Sequence, residues 1–125
     1  MKKTLILLTY LISSIVMAND LVSTHTLSDG REILTNAQGL TLYTFDVDTP
    51  GVSNCHGQCL VIWPAVIVEE VANISAPYST TTRPNGELQL TLNGLPLYTY
   101  ISDAKPGDIL GDNLGSVWHI IPVED

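Results

Sequence analysis

The sequence predicts an all-β fold: about eight short antiparallel strands in a sandwich or partly closed barrel, built from two repeats related by a pseudo-twofold axis. Three observations predict it. The segment Gly39–Asp48, Gly-Leu-Thr-Leu-Tyr-Thr-Phe-Asp-Val-Asp, returns fifty-five positions later as Gly94–Asp103, Gly-Leu-Pro-Leu-Tyr-Thr-Tyr-Ile-Ser-Asp, with six of ten positions identical. Short β-type runs are punctuated throughout by Gly, Pro and Asn, and no convincing amphipathic helix follows residue 18. A small chain that repeats itself this closely folds most simply as two related halves sharing one core.

Each element has its own signal. Ser23–Leu27 and Arg31–Thr35 flank a turn at Ser28-Asp29-Gly30, and a second turn through Asn36–Gly39 leads into Leu40–Phe45. The second half echoes this meander: Ser79–Arg83, a turn at Pro84-Asn85-Gly86, the alternating run Glu87–Leu92, then Asn93-Gly94 and Leu95–Tyr100. Two β-type runs about an Asn-Gly pair are the strongest short-range hairpin signal, because both turn residues adopt positive φ. Each half closes with a tryptophan-bearing strand, Val61–Val68 in one and Val117–Ile121 in the other. Repeat 1 therefore spans about residues 22–68 and repeat 2 about 78–122, joined by 69–77.

Residues 1–18 read as a signal peptide. Lys2 and Lys3 precede an apolar run from Leu5 to Val16, and Val16-Met17-Ala18 offers a cleavage site. The run is short of the about 20 residues a spanning helix needs, so no stable membrane insertion is expected after cleavage. No cysteine stands at the cleavage point, so the mature chain is expected to be periplasmic or secreted and not lipidated. Residues 19–125 suit a single β domain. Its three basic residues, Arg31, Arg83 and Lys105, face all thirteen acids of the chain, for a formal charge of −10. Such a surface repels nucleic acid and anionic membrane.

In the repeated strands Tyr43 and Phe45 share a face opposite Leu42, as Tyr98 and Tyr100 do opposite Leu97. Large apolar groups on both faces predict central strands covered on each side. Asp48 and Asp103 follow where the strands end. A carboxylate there can accept bonds from loop amides or from a buried tyrosine hydroxyl; the alternatives are a general acid–base pair or cation ligands. Trp63 and Trp118 are expected to pack as matching anchors, and His25 and His119 to be half-exposed strand residues.

The motif Tyr-x-(Phe/Trp/Tyr)-x-x-Asp, seen in Tyr43–Asp48 and Tyr98–Asp103, resembles that of the bacterial secreted-repeat family described as predicted lipoproteins. The likeness extends to Thr49-Pro50-Gly51, Cys55-x-Gly57-x-Cys59, Trp63-Pro64, Arg83-Pro84-Asn85-Gly86, Lys105-Pro106-Gly107-Asp108 and Val117-Trp118. The resemblance implies an exported bacterial protein and brings no established activity. Many members carry a lipidated N-terminal cysteine, which this chain lacks.

Cys55 and Cys59 are the only cysteines. An even pair this close in an exported chain is most simply a disulfide, feasible across one helical turn. A metal site of Cys55, His56 and Cys59 would need reduced thiols and a further ligand, and a redox-active pair is the remaining option. No nucleophile with a plausible base and no phosphate-binding loop is evident, so no catalytic residue and no cofactor are assigned. The leading expectation is a small exported β-module with a non-catalytic binding or envelope-scaffold role, its partner an envelope protein or small ligand. The alternative is a periplasmic redox or metal-handling protein using Cys55, His56 and Cys59; a hydrolase using Asp48 and Asp103 is a third reading.

Overall fold

The computed structural model describes residues 21–71 and 73–124, so the signal segment expected over residues 1–18 lies outside the described residues. Eight strands appear in order: β1 (Val22–Thr26), β2 (Glu32–Asn36), β3 (Tyr43–Phe45), β4 (Ile67–Val68), β5 (Tyr78–Thr82), β6 (Leu88–Leu92), β7 (Leu95–Pro96) and β8 (Trp118–Ile120). A single turn of helix, α1 (Gln58–Ile62), precedes β4, and a 3₁₀ turn at Leu114–Ser116 precedes β8.

Local chemistry sets the hairpins. Between β1 and β2 the Asp29 carboxylate accepts the Arg31 amide at 3.0 Å, and between β5 and β6 Asn85 Oδ1 accepts the Glu87 amide at 2.9 Å. At the β6–β7 turn Asn93 and Gly94 have φ of 52° and 85°, the double positive φ that two-residue hairpins require. The two hairpins then pair in the same register: Val22 faces Asn36 in the first, and Tyr78 faces Leu92 in the second.

The halves are not side by side but interlocked. Thr41 bridges to Thr35 of its own repeat, whereas two residues later Tyr43 pairs with Ile120 of the other repeat. The second copy does the same: Pro96 pairs with Thr91, then Tyr98 bridges to Ala65. The closing strands are exchanged in consequence. β4 adds to β6, and Pro122 bridges to Ile33 of β2. At the centre Tyr43 and Tyr98 exchange both backbone hydrogen bonds, at 2.8 and 3.0 Å, which places the pseudo-twofold axis between them. All pairings are antiparallel, and the ladders do not close into a barrel among the described residues.

Two expectations change. The run expected as a strand from Val61 begins instead inside α1, because Cys55 and Cys59 draw the chain into a helical turn before Trp63. The runs Leu40–Phe45 and Leu95–Tyr100 are extended but not continuous ladders, since each changes partner midway. The motif strands are covered on both faces, as their composition predicts. Leu42 and Leu97 join Val22, Val68 and Leu90 in one core cluster, while Tyr43 and Tyr98 join Cys55, Trp63 and Trp118 in the other.

Candidate functional site

The aromatic cluster is organised by the repeated motif. Trp63 and Trp118 stack on each other with centroids 3.8 Å apart and planes 2° from parallel. Each outer face takes the second motif aromatic of the opposite copy: Tyr100 lies on Trp63 at 4.3 Å, and Phe45 on Trp118 at 4.0 Å. Tyr43 and Tyr98 meet the tryptophans edge-on at 5.1 and 5.2 Å. This is a packed pile of rings, stacked face to face along its length and met edge-on at its sides, as aromatic edges prefer.

The aspartates complete it across the repeats. Tyr43 Oη donates to Asp103 Oδ2 at 2.6 Å, and Tyr98 Oη donates to Asp48 Oδ2 at 2.7 Å. The second carboxylate oxygen holds the following loop: Asp48 Oδ1 accepts the Asn54 amide at 2.6 Å and Asp103 Oδ1 accepts the Leu110 amide at 2.9 Å. Both aspartates are buried, at 7% and 6% exposure. Burial pushes both carboxyls above the ordinary value, against the opposing pull of the tyrosine and amide bonds. Burial first, and the adjacent carboxylate second among the raising causes, likewise push both phenols far above the usual tyrosine range. The sequence leaves structural and catalytic roles open for these aspartates; the geometry gives each of them two acceptor bonds inside its own fold.

The other expected residues are scattered. The Cys55 and Cys59 sulfurs lie at bonding distance, 2.04 Å, with Cα atoms 5.3 Å apart, and Cys55 is fully buried. His56 is exposed and points toward Arg83. His119 lies on β8 with Nε2 2.8 Å from Asp46 Oδ2. Among the described residues no group of three or more His, Cys, Asp or Glu side chains converges on one point.

The repeated motif does not reveal the place where the repeats differ. Following the shared register, Arg83 takes the position of Leu27, and Gln89 that of Ile33. A buried apolar pair in one half is thus a buried cation and amide in the other. Arg83 is only 5% exposed, yet it makes none of the ion pairs among the described residues. Its Nη1 donates to Gln89 Oε1 and to Ser53 Oγ, and its Nη2 to the Cys55 carbonyl at 2.8 Å, with His56 Nδ1 at 3.4 Å. Ser53 Oγ lies 2.6 Å from Tyr98 Oη. A hydrogen-bonded chain therefore runs from Arg83 through two hydroxyls to Asp48, whose charge it favours. In the sequence Arg83 stood as one of three basic residues, at the end of a predicted strand and in the Arg83-Pro84-Asn85-Gly86 motif; its burial follows from the register of β5 and could not be read from spacing.

A groove of about 360 Å³ opens beside this cluster, lined by Ser53, Asn54, His56, Thr81, Thr82 and Arg83 among others. Its counterpart in the other half, of about 390 Å³, is lined by His25, Leu27, Asp29, Arg31, Lys105 and Asp108 among others.

Fold and site together define a class: an internally duplicated, strand-exchanged β-module whose repeated motif is committed to its own core. The family model described as "secreted repeat of unknown function" matches the chain twice, over residues 23–67 and 79–121. The chain belongs to that family, and is accordingly an exported protein. No curated protein and no solved structure matches it. No helix among the described residues is long and apolar enough to cross a membrane.

Proposed function

We propose that this protein is a non-catalytic module, periplasmic or secreted and not lipidated, that binds a small ligand or an envelope protein on a rigid duplicated scaffold of residues 19–125. The observation that carries the reading is the fate of Asp48 and Asp103. They are the acid–base groups common to both copies, and each is buried as the acceptor of a tyrosine hydroxyl and a loop amide. Carboxylates so engaged hold loops; a general base needs reach to a substrate proton. Binding capacity is then left to the loops the scaffold displays, where the two copies have diverged.

The redox or metal-handling alternative needs thiolates at Cys55 and Cys59. Against the redox form of it, Cys55 is buried inside the aromatic cluster, whereas a thiol that exchanges is partly accessible. Native mass spectrometry of the mature protein, followed by denaturation with and without reduction, decides between them. The expected result is a mass two hydrogens below the reduced value, with no free thiol and no metal. Free thiols after denaturation, with a metal at about one equivalent, would overturn the reading in favour of metal handling.

A further inference from the structure

The charge on this molecule is distributed unevenly. Against thirteen acids, the three basic residues beyond the leader are Arg31, Arg83 and Lys105, and all three line the two symmetry-related grooves. In the groove between Arg31 and Lys105 both cations are neutralised locally: Arg31 pairs with Asp29 at 2.9 Å and Lys105 with Asp108 at 2.8 Å. In the groove beside Arg83 no lining residue is acidic. The other three described grooves each carry a carboxylate, from Glu124, from Asp29 and Asp108, or from Glu69 and Glu70. In a chain of net charge −8, a carboxylate-free groove against a buried guanidinium sets this site apart from the other three described grooves.

We propose that the Arg83 groove binds a small oxyanion, a carboxylate or phosphate group of the ligand, with Arg83 supplying the charge and His56, Thr81 and Thr82 lining the approach. This deepens the binding role proposed above and rests on it. Arg83 is held rigidly from behind by Gln89, Ser53 and the Cys55 carbonyl, all neutral acceptors, so its charge is oriented without being cancelled at contact. Asp48, the carboxylate coupled to it, is separated from it by the Tyr98 and Ser53 hydroxyls. The longest of the guanidinium contacts, 3.4 Å, goes to the imidazole of exposed His56. That ring can turn aside to give its place to an anionic oxygen and then donate to the same anion. Such charge-assisted bonds are about twice as strong as neutral ones, and a fixed planar fork favours oxyanion geometry. The Cys55–Cys59 link holds the loop that presents His56 and the Cys55 carbonyl, which gives the disulfide a place in the site without redox chemistry.

The test is a titration of the intact mature protein with inorganic phosphate and, separately, acetate, at ionic strength matched with chloride, followed by amide NMR. Saturable shifts confined to residues 51–56 and 81–83 are expected with at least one anion, and the stronger response tells a phosphoryl from a carboxylate ligand. Arg83 is structural, so the informative variants are His56→Ala and Thr82→Glu. Both side chains are exposed, and Thr82→Glu brings a carboxylate into the groove. Each variant is expected to weaken binding by about tenfold or more, while Lys105→Ala in the counterpart groove leaves it unchanged. No saturable shift with either anion, an unaltered response in folded Thr82→Glu, or shifts centred on Lys105 would overturn the inference. None of these results bears on the thiol and metal content, so the broader reading stands or falls separately.

Discussion

At the scale of single residues, the burial of Asp48 and Asp103, only partly offset by their tyrosine and amide bonds, decides how stability responds to pH. The folded carboxyls titrate above their ordinary value of 3.8. A raised folded-state value means that the native state holds its proton where the unfolded chain has lost it. The contribution is therefore fully present below 3.8 and is lost as pH rises through the folded values. The two phenols act the same way on the alkaline side: their contribution is intact below the ordinary value of 10.0 and disappears as pH climbs above it. In an alkaline titration, phenolate absorbance from Tyr43 and Tyr98 is expected to rise only together with loss of the far-ultraviolet dichroism. Ionisation of both phenols near pH 10 in a folded protein would show that the hydroxyls are not sequestered. The sequence offered the tyrosine–carboxylate bond as one reading beside an acid–base pair and cation ligands, because a strand-end carboxylate can accept from a buried tyrosine hydroxyl. Which copy supplies the partner was not legible. Identical motifs pair equally well on paper within a repeat or across it, and only the exchanged strands bring Tyr43 to Asp103.

Among the elements, the loop before β8 carries the most tightly enclosed glycine of the described residues. A Cβ on Gly111 would stand 2.5 Å from Trp63 Cη2 and 3.0 Å from the Tyr100 ring, and the Gly111 amide donates to Tyr43 Oη at 3.2 Å. Rings stacked on both sides have no room to retreat. Gly111→Ala is expected to cost about 1–3 kcal/mol, the usual range for overpacking, read as a lowered midpoint in chemical denaturation. An unchanged midpoint would mean the stack is looser than its distances imply. The same region shows what the sequence conceals at this scale. Val61-Ile62-Trp63 has strand composition, but the Cys55–Cys59 link and the backbone bond from the Trp63 amide to the Cys59 carbonyl at 2.7 Å turn it into a helix end. The β1–β2 and β5–β6 hairpins were legible to within a residue or two because Asp29-Gly30 and Asn85-Gly86 carry their turn chemistry locally. Arg83 stood in plain view beside the second of these turns, and its role was hidden because burial depends on the register of β5 and on Ser53 from a distant loop.

For the whole molecule, duplication and exchange have one consequence: each half lends its closing strand to the other. β4 belongs by sequence to repeat 1 and by pairing to repeat 2, and β8 the reverse. The halves are therefore expected to fold as one cooperative unit, with the motif residues as the fasteners between them and the diverged loops free to bind. A double-mutant cycle on Tyr43→Phe and Asp103→Ala, with unfolding free energies from chemical denaturation, tests this most directly, because the two residues are partners only if the repeats are interlocked. Each single change leaves a buried polar partner unsatisfied and is expected to cost about 1–3 kcal/mol, with the double variant losing well short of the sum. Strict additivity of the two losses would contradict the cross-repeat lock, and with it the assignment of the repeated motif to the scaffold.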